Sequence, residues 1–196
     1  IPFLEKDDAL RKSFFRDLQL IFYAAAALPQ NLWEKLADLS VRERGKRTVM
    51  VSAWGATETA PMVTTVHFEI DRAGVIGLPA PGTEVKLVPN ENKLELRVRG
   101  PNVTPGYWKR PDASAAAFFT LEGKRFFRTG DLGRVDEDGY FFMTDRLKRM
   151  INASGFKVWP AEVEALMFRH PAIQEACVIG TRDAYRGESV KAVVVL

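Results

Sequence analysis

Hydrophobic and polar positions change their spacing twice along the chain, and the first of the three patterns covers residues 1–60. Residues 18–23 form a short apolar run, residues 29–44 carry apolar side chains at helical spacing behind a proline, and residues 48–52 are again strand-like. A strand, a helix and a strand in this order predict a parallel α/β layer.

The second pattern covers residues 61–146 and consists of short strand-like segments separated by turns. These segments are residues 75–78, 83–88, 93–98 and 140–144. Leu94, Leu96 and Val98 alternate with charged residues, which predicts one buried and one solvated face. We therefore expect a small distorted barrel or sandwich, with a short helix at its side over residues 111–118.

The third pattern begins after Asp145. Two short apolar segments flank Ser154-Gly155, which is a hairpin signal. Residues 160–169 are predicted to be helical, because a proline comes first and acidic residues occupy the first turn. Two further strands are predicted over residues 173–180 and 189–196.

Together these patterns predict an α/β fold with a β-barrel-like subdomain, divided into two parts. Residues 1–146 have the pattern of the end of a large domain, with the α/β layer over residues 1–60 and the barrel-like subdomain over residues 61–146. Residues 147–196 have the pattern of the start of a small α+β domain. The chain opens on Ile1-Pro2 without a methionine and stops inside a β-branched run, so we expect a piece of a longer protein.

Composition narrows the function classes. The 196 residues include 28 basic and 25 acidic side chains, a net charge of +3 without a dense basic block, so nucleic acid is not an expected partner. Two histidines are too few for a usual zinc site. No apolar run reaches the roughly 18 residues of a membrane helix.

The single cysteine, Cys177, excludes an internal disulfide, and a reducing cytosol fits best. Cys177 lies in an apolar run, where we expect a buried structural thiol.

The first candidate site is the loop Trp54-Gly55-Ala56-Thr57-Glu58, directly after a predicted strand. Ligands bind at the carboxyl ends of strands in open α/β sheets. An indole ring can stack on a base, a glycine allows close backbone approach, a threonine hydroxyl can donate to a phosphate, and a carboxylate can hold Mg²⁺. The alternative is a polar turn without a ligand.

Two further clusters carry candidate chemistry. In Arg128-Thr129-Gly130-Asp131-Leu132, a carboxylate beside a glycine can accept hydrogen bonds from both ribose hydroxyls, although the same residues are typical of a β-turn. Asp145-Arg146-Leu147-Lys148-Arg149 lies at the predicted domain boundary, where cations can clamp an anion; the alternative is an exposed charged linker. Neither a Ser/His/Asp set nor a glycine-rich phosphate loop occurs in these residues.

In this order, the clusters resemble the superfamily of acyl-CoA synthetases, luciferases and peptide-synthetase adenylation domains. The match extends over residues 23–196 and has four specific pieces. The first three are Trp54-Gly55-Ala56-Thr57-Glu58, the stretch from Leu94-Glu95-Leu96 through Gly100 to Gly106-Tyr107-Trp108, and Arg128-Thr129-Gly130-Asp131-Leu132. The fourth runs from Asp145-Arg146-Leu147-Lys148 through Ser154-Gly155-Phe156-Lys157 to Pro160-Ala161-Glu162-Val163-Glu164. Four specific motifs in order favour the ligand-binding interpretation over the structural alternatives. The resemblance implies that the large domain binds a nucleotide.

The resemblance also implies individual roles in the large domain. Trp54 stands where the family usually has a tyrosine against adenine, and Gly55 follows it. Thr57 is implied to meet the α-phosphate, and Glu58 to serve Mg²⁺. The small-residue segment that contains Ala25 is implied to pass the adenine with its backbone, although the family often has glycine there.

Further roles are implied for the second half of the chain. Asp131 would hold the ribose hydroxyls, and Arg146 would contact the same nucleotide. Lys148 matches the hinge about which the family's small domain swings. Gly155 belongs to the loop that approaches the pantetheine arm of CoA, and Lys157 is implied to lie close to the AMP phosphate.

The implied reaction joins a carboxylic acid to CoA, with ATP and Mg²⁺ as cofactors and acyl-AMP as the intermediate. The first part of the chain looks like aryl-CoA ligases and the last part like medium-chain fatty acyl-CoA ligases, which fits a natural intermediate or a join near Gly130. Two expected parts, a phosphate loop with lysine and the catalytic lysine of the small domain, do not occur in these residues, so we expect them alone to be inactive. Alternatives are a non-catalytic binding module derived from such an enzyme and an amino-acid adenylation domain.

Overall fold

The computed structural model describes residues 1–24 and 28–196. Its helices are α1 (Pro2–Lys6), α2 (Asp8–Phe15), α3 (Gln30–Arg44), α4 (Pro111–Ala117) and α5 (Pro160–Met167). Its strands are β1 (Leu20–Tyr23), β2 (Val49–Trp54), β3 (Thr64–Thr65), β4 (Val75–Pro79), β5 (Glu84–Asn90), β6 (Lys93–Arg99), β7 (Phe118–Leu121), β8 (Lys124–Val135), β9 (Phe141–Arg146), β10 (Ile151–Ala153), β11 (Phe156–Val158), β12 (Glu175–Asp183) and β13 (Gly187–Val195). Within the described residues, no helix has the length and apolar character needed to cross a bilayer.

The strands form two sheets. The larger one has the order β1-β2-β3-β4-β9-β8-β6-β5, with β7 paired to β8, and the smaller one has the order β11-β10-β13-β12. The order of the larger sheet runs from β1 to β5 without closing on itself. The mixed α/β class is therefore confirmed, whereas a closed barrel is not.

The chain divides into two compact units. Unit 1 consists of Ile1–Lys86, Arg97–Thr129 and Arg134–Met143, and unit 2 consists of Leu87–Leu96, Gly130–Gly133 and Thr144–Leu196. Each unit is assembled from segments that are distant in the sequence. The linear domain boundary at residue 146 stays a prediction.

The predicted parallel α/β layer is confirmed in unit 1. Strand β1 pairs with β2 in parallel, with Leu20 opposite Val49, and helix α3 lies between them in the sequence. The apolar face of α3 supplies Trp33 and Ala37 to a core cluster that also contains Met50 of β2. Burial of this face is what stabilises the layer, because helical propensity alone leaves a helix of this length marginal in water.

Helices α1 and α2 were not predicted. The Asp7 carboxylate accepts a hydrogen bond from the Leu10 amide (2.9 Å), a normal N-cap for α2. Arg11 of α2 is only 1% exposed and donates to Glu43 of α3 at 2.6 Å, so its charge is buried together with a partner. Leu4, Phe15 and Leu39 form the apolar core between these helices.

In unit 2, the predicted hairpin is confirmed as the pair β10 and β11. Its two turn residues, Ser154 and Gly155, have φ values of 53° and 86°, as a tight two-residue hairpin requires. Cys177 is exposed, so the expectation of a buried thiol was wrong. Side chains alternate along β12, and it is the next residue, Val178, that points inward with 1% exposure.

Candidate active site

The first predicted cluster begins at the end of β2. Trp54 is the last residue of this strand and is 7% exposed, so little of its indole ring is accessible. A Cβ atom on Gly55 would lie 1.7 Å from the Pro61 carbonyl oxygen. The glycine is therefore required by the loop's own backbone, which returns past it, whatever further contact it makes with a ligand.

Thr57 and Glu58 open a short 3-10 helix, Thr57–Thr59, directly after this glycine. The buried Thr59 hydroxyl accepts a hydrogen bond from the Ala56 amide (2.8 Å) and fixes the start of the helix. Thr57 is left exposed and Glu58 is half-buried. The loop thus presents a hydroxyl and a carboxylate side by side.

The Glu58 carboxylate has a specific partner. The Tyr107 hydroxyl donates to Glu58 Oε1 at 2.6 Å. This hydrogen bond to a carboxylate, together with partial burial, raises the pKa of Tyr107 to about 12, so the phenol stays a donor across the physiological range.

The side chains around Glu58 limit the kind of metal site to which it can belong. Among the described residues, no group of three or more histidine, cysteine, aspartate or glutamate side chains is arranged to hold a metal ion. Mg²⁺ typically takes one or two protein carboxylates and completes its shell with water and substrate phosphates. A single oriented carboxylate therefore fits a magnesium ion that comes with a nucleotide, and it does not fit a metal site made by protein alone.

The second and third clusters meet in unit 2. Asp131 of β8 is 6% exposed, and its Oδ1 accepts from Arg146 Nε of β9 at 3.0 Å. Half of the Arg146 side chain is exposed. Asp131 lies inside the twelve-residue strand β8, so the β-turn alternative was wrong. The left-handed Gly130 (φ 70°) marks an irregularity within the strand instead of its end.

Next to Arg146, a second carboxylate is fully buried. Asp145 accepts from the Arg146 amide through Oδ1, and its Oδ2 lies 3.8 Å from Lys93 Nζ, which is too long for a hydrogen bond. Lys93 Nζ also pairs with Glu162 at 2.6 Å and lies 4.5 Å from the centre of the Trp159 ring. The ammonium group is thus enclosed by two carboxylates and an aromatic face.

Comparison with known proteins identifies the family. Residues 3–108 match the profile of the AMP-binding enzyme family, and residues 162–196 match that of the AMP-binding enzyme C-terminal domain. The chain belongs to the AMP-binding enzyme family.

Similar proteins are acyl-CoA ligases by name. A long-chain-fatty-acid–CoA ligase of Escherichia coli O157:H7 is 40% identical over 154 residues, which are 74% of this chain and 27% of that protein. "Probable 4-coumarate–CoA ligase 2" of Dictyostelium discoideum is 34% identical over 200 residues, covering 97% of this chain and 35% of that protein. A malonyl-CoA ligase solved as a ternary product complex with methylmalonyl-CoA and AMP has a TM-score of 0.60 and 36% identity, covering 99% of this chain and 41% of that one. The chain thus spans about a third of the length of these relatives.

Three further predicted residues of this AMP-binding enzyme chain follow β9 in the sequence: Lys148, Gly155 and Lys157. Lys148 is exposed in the 3-10 helix Leu147–Arg149. The Gly155 amide donates to Asn152 Oδ1 (3.1 Å) within its hairpin, and Lys157 forms an ion pair with Glu91. The ammonium group of Lys157 therefore has a carboxylate partner in this structure. Ala25 lies outside the described residues.

Two contacts of this AMP-binding chain were missed by the sequence. From the sequence, Tyr107 was given no role beyond the matching stretch Gly106-Tyr107-Trp108, and Lys93 was placed at the start of a predicted strand. Tyr107 contacts Glu58, and Lys93 contacts both Asp145 and Glu162. All of these partners are distant along the chain. Local patterns in one sequence carry no signal for a charge pair or a hydrogen bond between distant segments.

Proposed function

We propose that the protein activates a carboxylic acid with ATP to acyl-AMP and then transfers the acyl group to CoA. The observation that carries this proposal is the contact between Asp131 and Arg146 at 3.0 Å. The family resemblance implies that both residues contact one nucleotide, and they come from different strands. Their proximity, in a chain of the AMP-binding enzyme family, supports adenylate formation.

In unit 1, the proposed nucleotide contacts come from the loop after β2. Thr57 donates its exposed hydroxyl to the α-phosphate, and Glu58 supplies a carboxylate to Mg²⁺. We assign the adenine contact to the start of this loop, where Gly55 and the small accessible part of Trp54 lie, and the family resemblance adds the segment that contains Ala25. A bound Mg²⁺ would offset the repulsion between phosphate oxygens.

In unit 2, we assign the ribose and the CoA contacts. Asp131 accepts hydrogen bonds from the ribose hydroxyls, and Arg146, half exposed beside it, contacts the same nucleotide. Gly155 in the β10–β11 turn approaches the pantetheine arm, and Lys157 exchanges its carboxylate partner for the AMP phosphate. Lys148 is the hinge between a large domain ending near residue 146 and a small domain after it.

In the proposed reaction, no side chain named above forms a covalent bond to a substrate. In the first step a carboxylate oxygen of the acid attacks the α-phosphorus, and the bond to pyrophosphate breaks. In the second the CoA thiolate attacks the acyl carbonyl, and AMP leaves with the bonding electron pair. The residues named above contribute by holding the reactants in line and by stabilising charge on the phosphoryl group.

The acid is proposed to be an aryl or fatty acid. The Escherichia coli relative is named for long-chain fatty acids and the Dictyostelium relative for 4-coumarate. Medium-chain fatty acids, favoured by residues 145–196, lie between these in size. We also propose a cytoplasmic location, because a chain whose single cysteine, Cys177, is a free thiol fits a reducing compartment.

An exchange assay tests the proposal in the intact protein that contains this chain. Labelled pyrophosphate is incubated with ATP and one acid at a time, from a panel of aryl acids, fatty acids of graded length and amino acids. We expect label in ATP only with an aryl or fatty acid, and thioester after CoA is added. Exchange with amino acids alone would indicate an adenylation domain. AMP binding without exchange for any acid would indicate a non-catalytic binding module.

A further inference from the structure

A loop of unit 1, to which no binding role was assigned from the sequence, is hydrogen-bonded to the loop that contains Glu58. We call residues 102–107 the clamp loop. The Thr104 amide donates to the Glu58 carbonyl oxygen (2.8 Å), and the Asn102 side-chain amide donates to the carbonyl oxygens of Thr59 (2.8 Å) and Met62 (2.7 Å). Three hydrogen bonds therefore fix the backbone from the carbonyl group of Glu58 to Met62.

The clamp loop is itself held from behind. The Arg125 guanidinium donates to the carbonyl oxygens of Thr104 (3.3 Å) and Pro105 (2.6 Å) and lies 4.2 Å from the centre of the Phe118 ring. The Tyr107 amide donates to the Ser114 hydroxyl of α4 (2.9 Å). These contacts place the Tyr107 ring against the loop after β2 before any ligand binds.

Tyr107 completes this arrangement at the carboxylate. Its hydroxyl donates to Glu58 Oε1 at 2.6 Å, and its ring packs against Phe118 with centroids 5.9 Å apart. A glutamate side chain has three rotatable bonds, and a hydrogen bond to one of its oxygens selects among their conformations. With Oε1 bound to the phenol, the carboxylate keeps one orientation.

We propose that Tyr107 is a positioning residue, which holds the Glu58 carboxylate in the orientation needed for Mg²⁺–ATP binding. The inference rests on the proposed function, because it takes Glu58 as the carboxylate that serves the metal. A carboxylate oriented in advance loses less conformational entropy when the ion binds. Tyr107 donates to protein and does not contact the nucleotide.

The test compares Tyr107→Phe with wild type in the intact protein by calorimetric titration of ATP, once with Mg²⁺ and once with EDTA. The substitution removes the hydroxyl and keeps the ring against Phe118. We expect the affinity in Mg²⁺ to fall about tenfold, the lower end of the range for a hydrogen bond to a charged group, and the affinity in EDTA to stay unchanged. Tyr185→Phe is the matched control, because that side chain is 93% exposed and remote in sequence from the clamp loop.

Glu58→Gln and the double variant Glu58→Gln/Tyr107→Phe separate the positioning role of Tyr107 from the metal role of Glu58. If Tyr107 acts through Glu58, Tyr107→Phe has no further effect in the Glu58→Gln background. An equal further loss in that background would overturn the positioning role. So would wild-type affinity of Tyr107→Phe in Mg²⁺ while Glu58→Gln is impaired, and the proposed function would then stand. If Glu58→Gln itself binds Mg²⁺–ATP like wild type, the metal role in the proposed function fails, and the inference fails with it.

Thermal unfolding excludes a merely structural effect. Tyr107→Phe is expected to melt within about 2 °C of wild type without ligand, since only one partly exposed hydrogen bond is lost. A large drop in melting temperature together with equal losses in Mg²⁺ and in EDTA would overturn the proposal, because it would show that the hydroxyl supports the loop and not the orientation of the carboxylate.

Discussion

At the scale of single residues, the burial and the charge of Asp131 give the strongest indication of ligand binding. Its carboxylate is 6% exposed, whereas the arginine that pairs with it is half exposed. Removing the carboxylate leaves Arg146 as a cation that water can solvate. Loss of a charged acceptor for two hydroxyl groups, in contrast, weakens ribose binding strongly.

We predict that Asp131→Ala in the intact protein lowers the affinity for AMP by about 10- to 100-fold, the range for a hydrogen bond to a charged group. Isothermal titration with AMP measures this, and urea unfolding checks that the variant is folded under the conditions of the titration. Asp38→Ala, on the exposed side of α3, is the control. Unchanged AMP affinity would remove Asp131 from the site.

Lys93 is expected to matter for stability. Its side chain is 10% exposed, and the neighbouring Asp145 side chain is fully buried. Lys93→Ala leaves that carboxylate without its cation, so we predict a loss of about 3 kcal/mol in the free energy of unfolding, as is usual when one partner of a buried pair is removed. Urea denaturation measures it, with the exposed Lys12→Ala as the comparison.

Neutralising the stranded carboxylate provides the check on this explanation. Asp145→Asn added to Lys93→Ala should recover part of the lost stability, because no uncompensated charge then remains buried. If the double variant is less stable than Lys93→Ala alone, the loss comes from the packing of the lysine stem against Trp159 and not from the charge.

The proximity of two residues was predictable where motifs assigned both to one ligand, and it was unpredictable where no motif linked the partners. Asp131 and Arg146 were assigned to one ligand from motifs, and the structure brings them together. Tyr107 was given no role of its own, because nothing near it in sequence indicates Glu58 as a partner. Trp54 illustrates a different limit: its position was predicted, but its burial depends on strands that join later in the chain.

At the scale of elements, the turn that joins β12 and β13 is organised by one carboxylate. Asp183 accepts from the Ser189 hydroxyl (2.6 Å) and from the amides of Arg186 and Tyr185 (both 2.9 Å). These hydrogen bonds, that of Ser189 first, lower the pKa of Asp183 from its ordinary value of 3.8 to about 2. The charged carboxylate is therefore preferred in the folded hairpin.

The pH dependence follows from the sign of this shift. A folded-state pKa below the unfolded one contributes stability that is present above the unfolded pKa and lost as the pH falls toward the folded pKa. We predict that wild type is more stable than Asp183→Asn at pH 6 and that the difference disappears as the pH falls from about 4 to 2. Urea unfolding at pH 6, 4 and 2 tests this.

The control is Asp17→Asn, whose carboxylate is 82% exposed. Its difference from wild type should stay small at every pH. A difference for Asp183→Asn that persists unchanged at pH 2 would mean that the asparagine disturbs the turn sterically and that the charge of Asp183 contributes nothing.

The pattern of hydrophobic positions predicted most elements and failed where a glycine or a short helix intervened. Strands β4, β6 and β10–β13 and helices α3–α5 all lie within a few residues of their expected places. Strand β8 was not predicted, and Gly130-Asp131 within it was considered as a β-turn, because glycine next to aspartate is a turn signal; strand pairing overrides that signal. For α2 the signal existed in the capping residue Asp7, but the helix is too short to show a clear period.

At the scale of the whole molecule, the sequence could not show which distant segments join. Unit 2 combines residues 144–196 with Leu87–Leu96 and Gly130–Gly133. Each of these segments is ordinary strand in its own pattern, and only the tertiary contacts assign it to a unit. A boundary drawn from linear pattern alone has no means of placing such segments.

Lys148 is the proposed hinge, and the two proposed half-reactions would need two arrangements of the residues around the acyl-AMP. Lys148 is exposed and is the second residue of a 3-10 helix, where a proline is sterically tolerated. Lys148→Pro therefore leaves the fold of unit 2 in place and fixes the φ angle about which the linker would turn. Fixing that torsion hinders the change between arrangements and not the first chemical step.

We expect Lys148→Pro in the intact protein to keep ATP–pyrophosphate exchange near the wild-type rate and to slow thioester formation by at least about tenfold, a barrier increase of about 1.4 kcal/mol. Consumption of the free CoA thiol measures the second step, and Lys148→Ala, which leaves the torsion free, should behave like wild type in both. Equal slowing of the two half-reactions by proline would show that residue 148 supports the site as a whole. Only an unequal effect assigns the conformational change to this peptide.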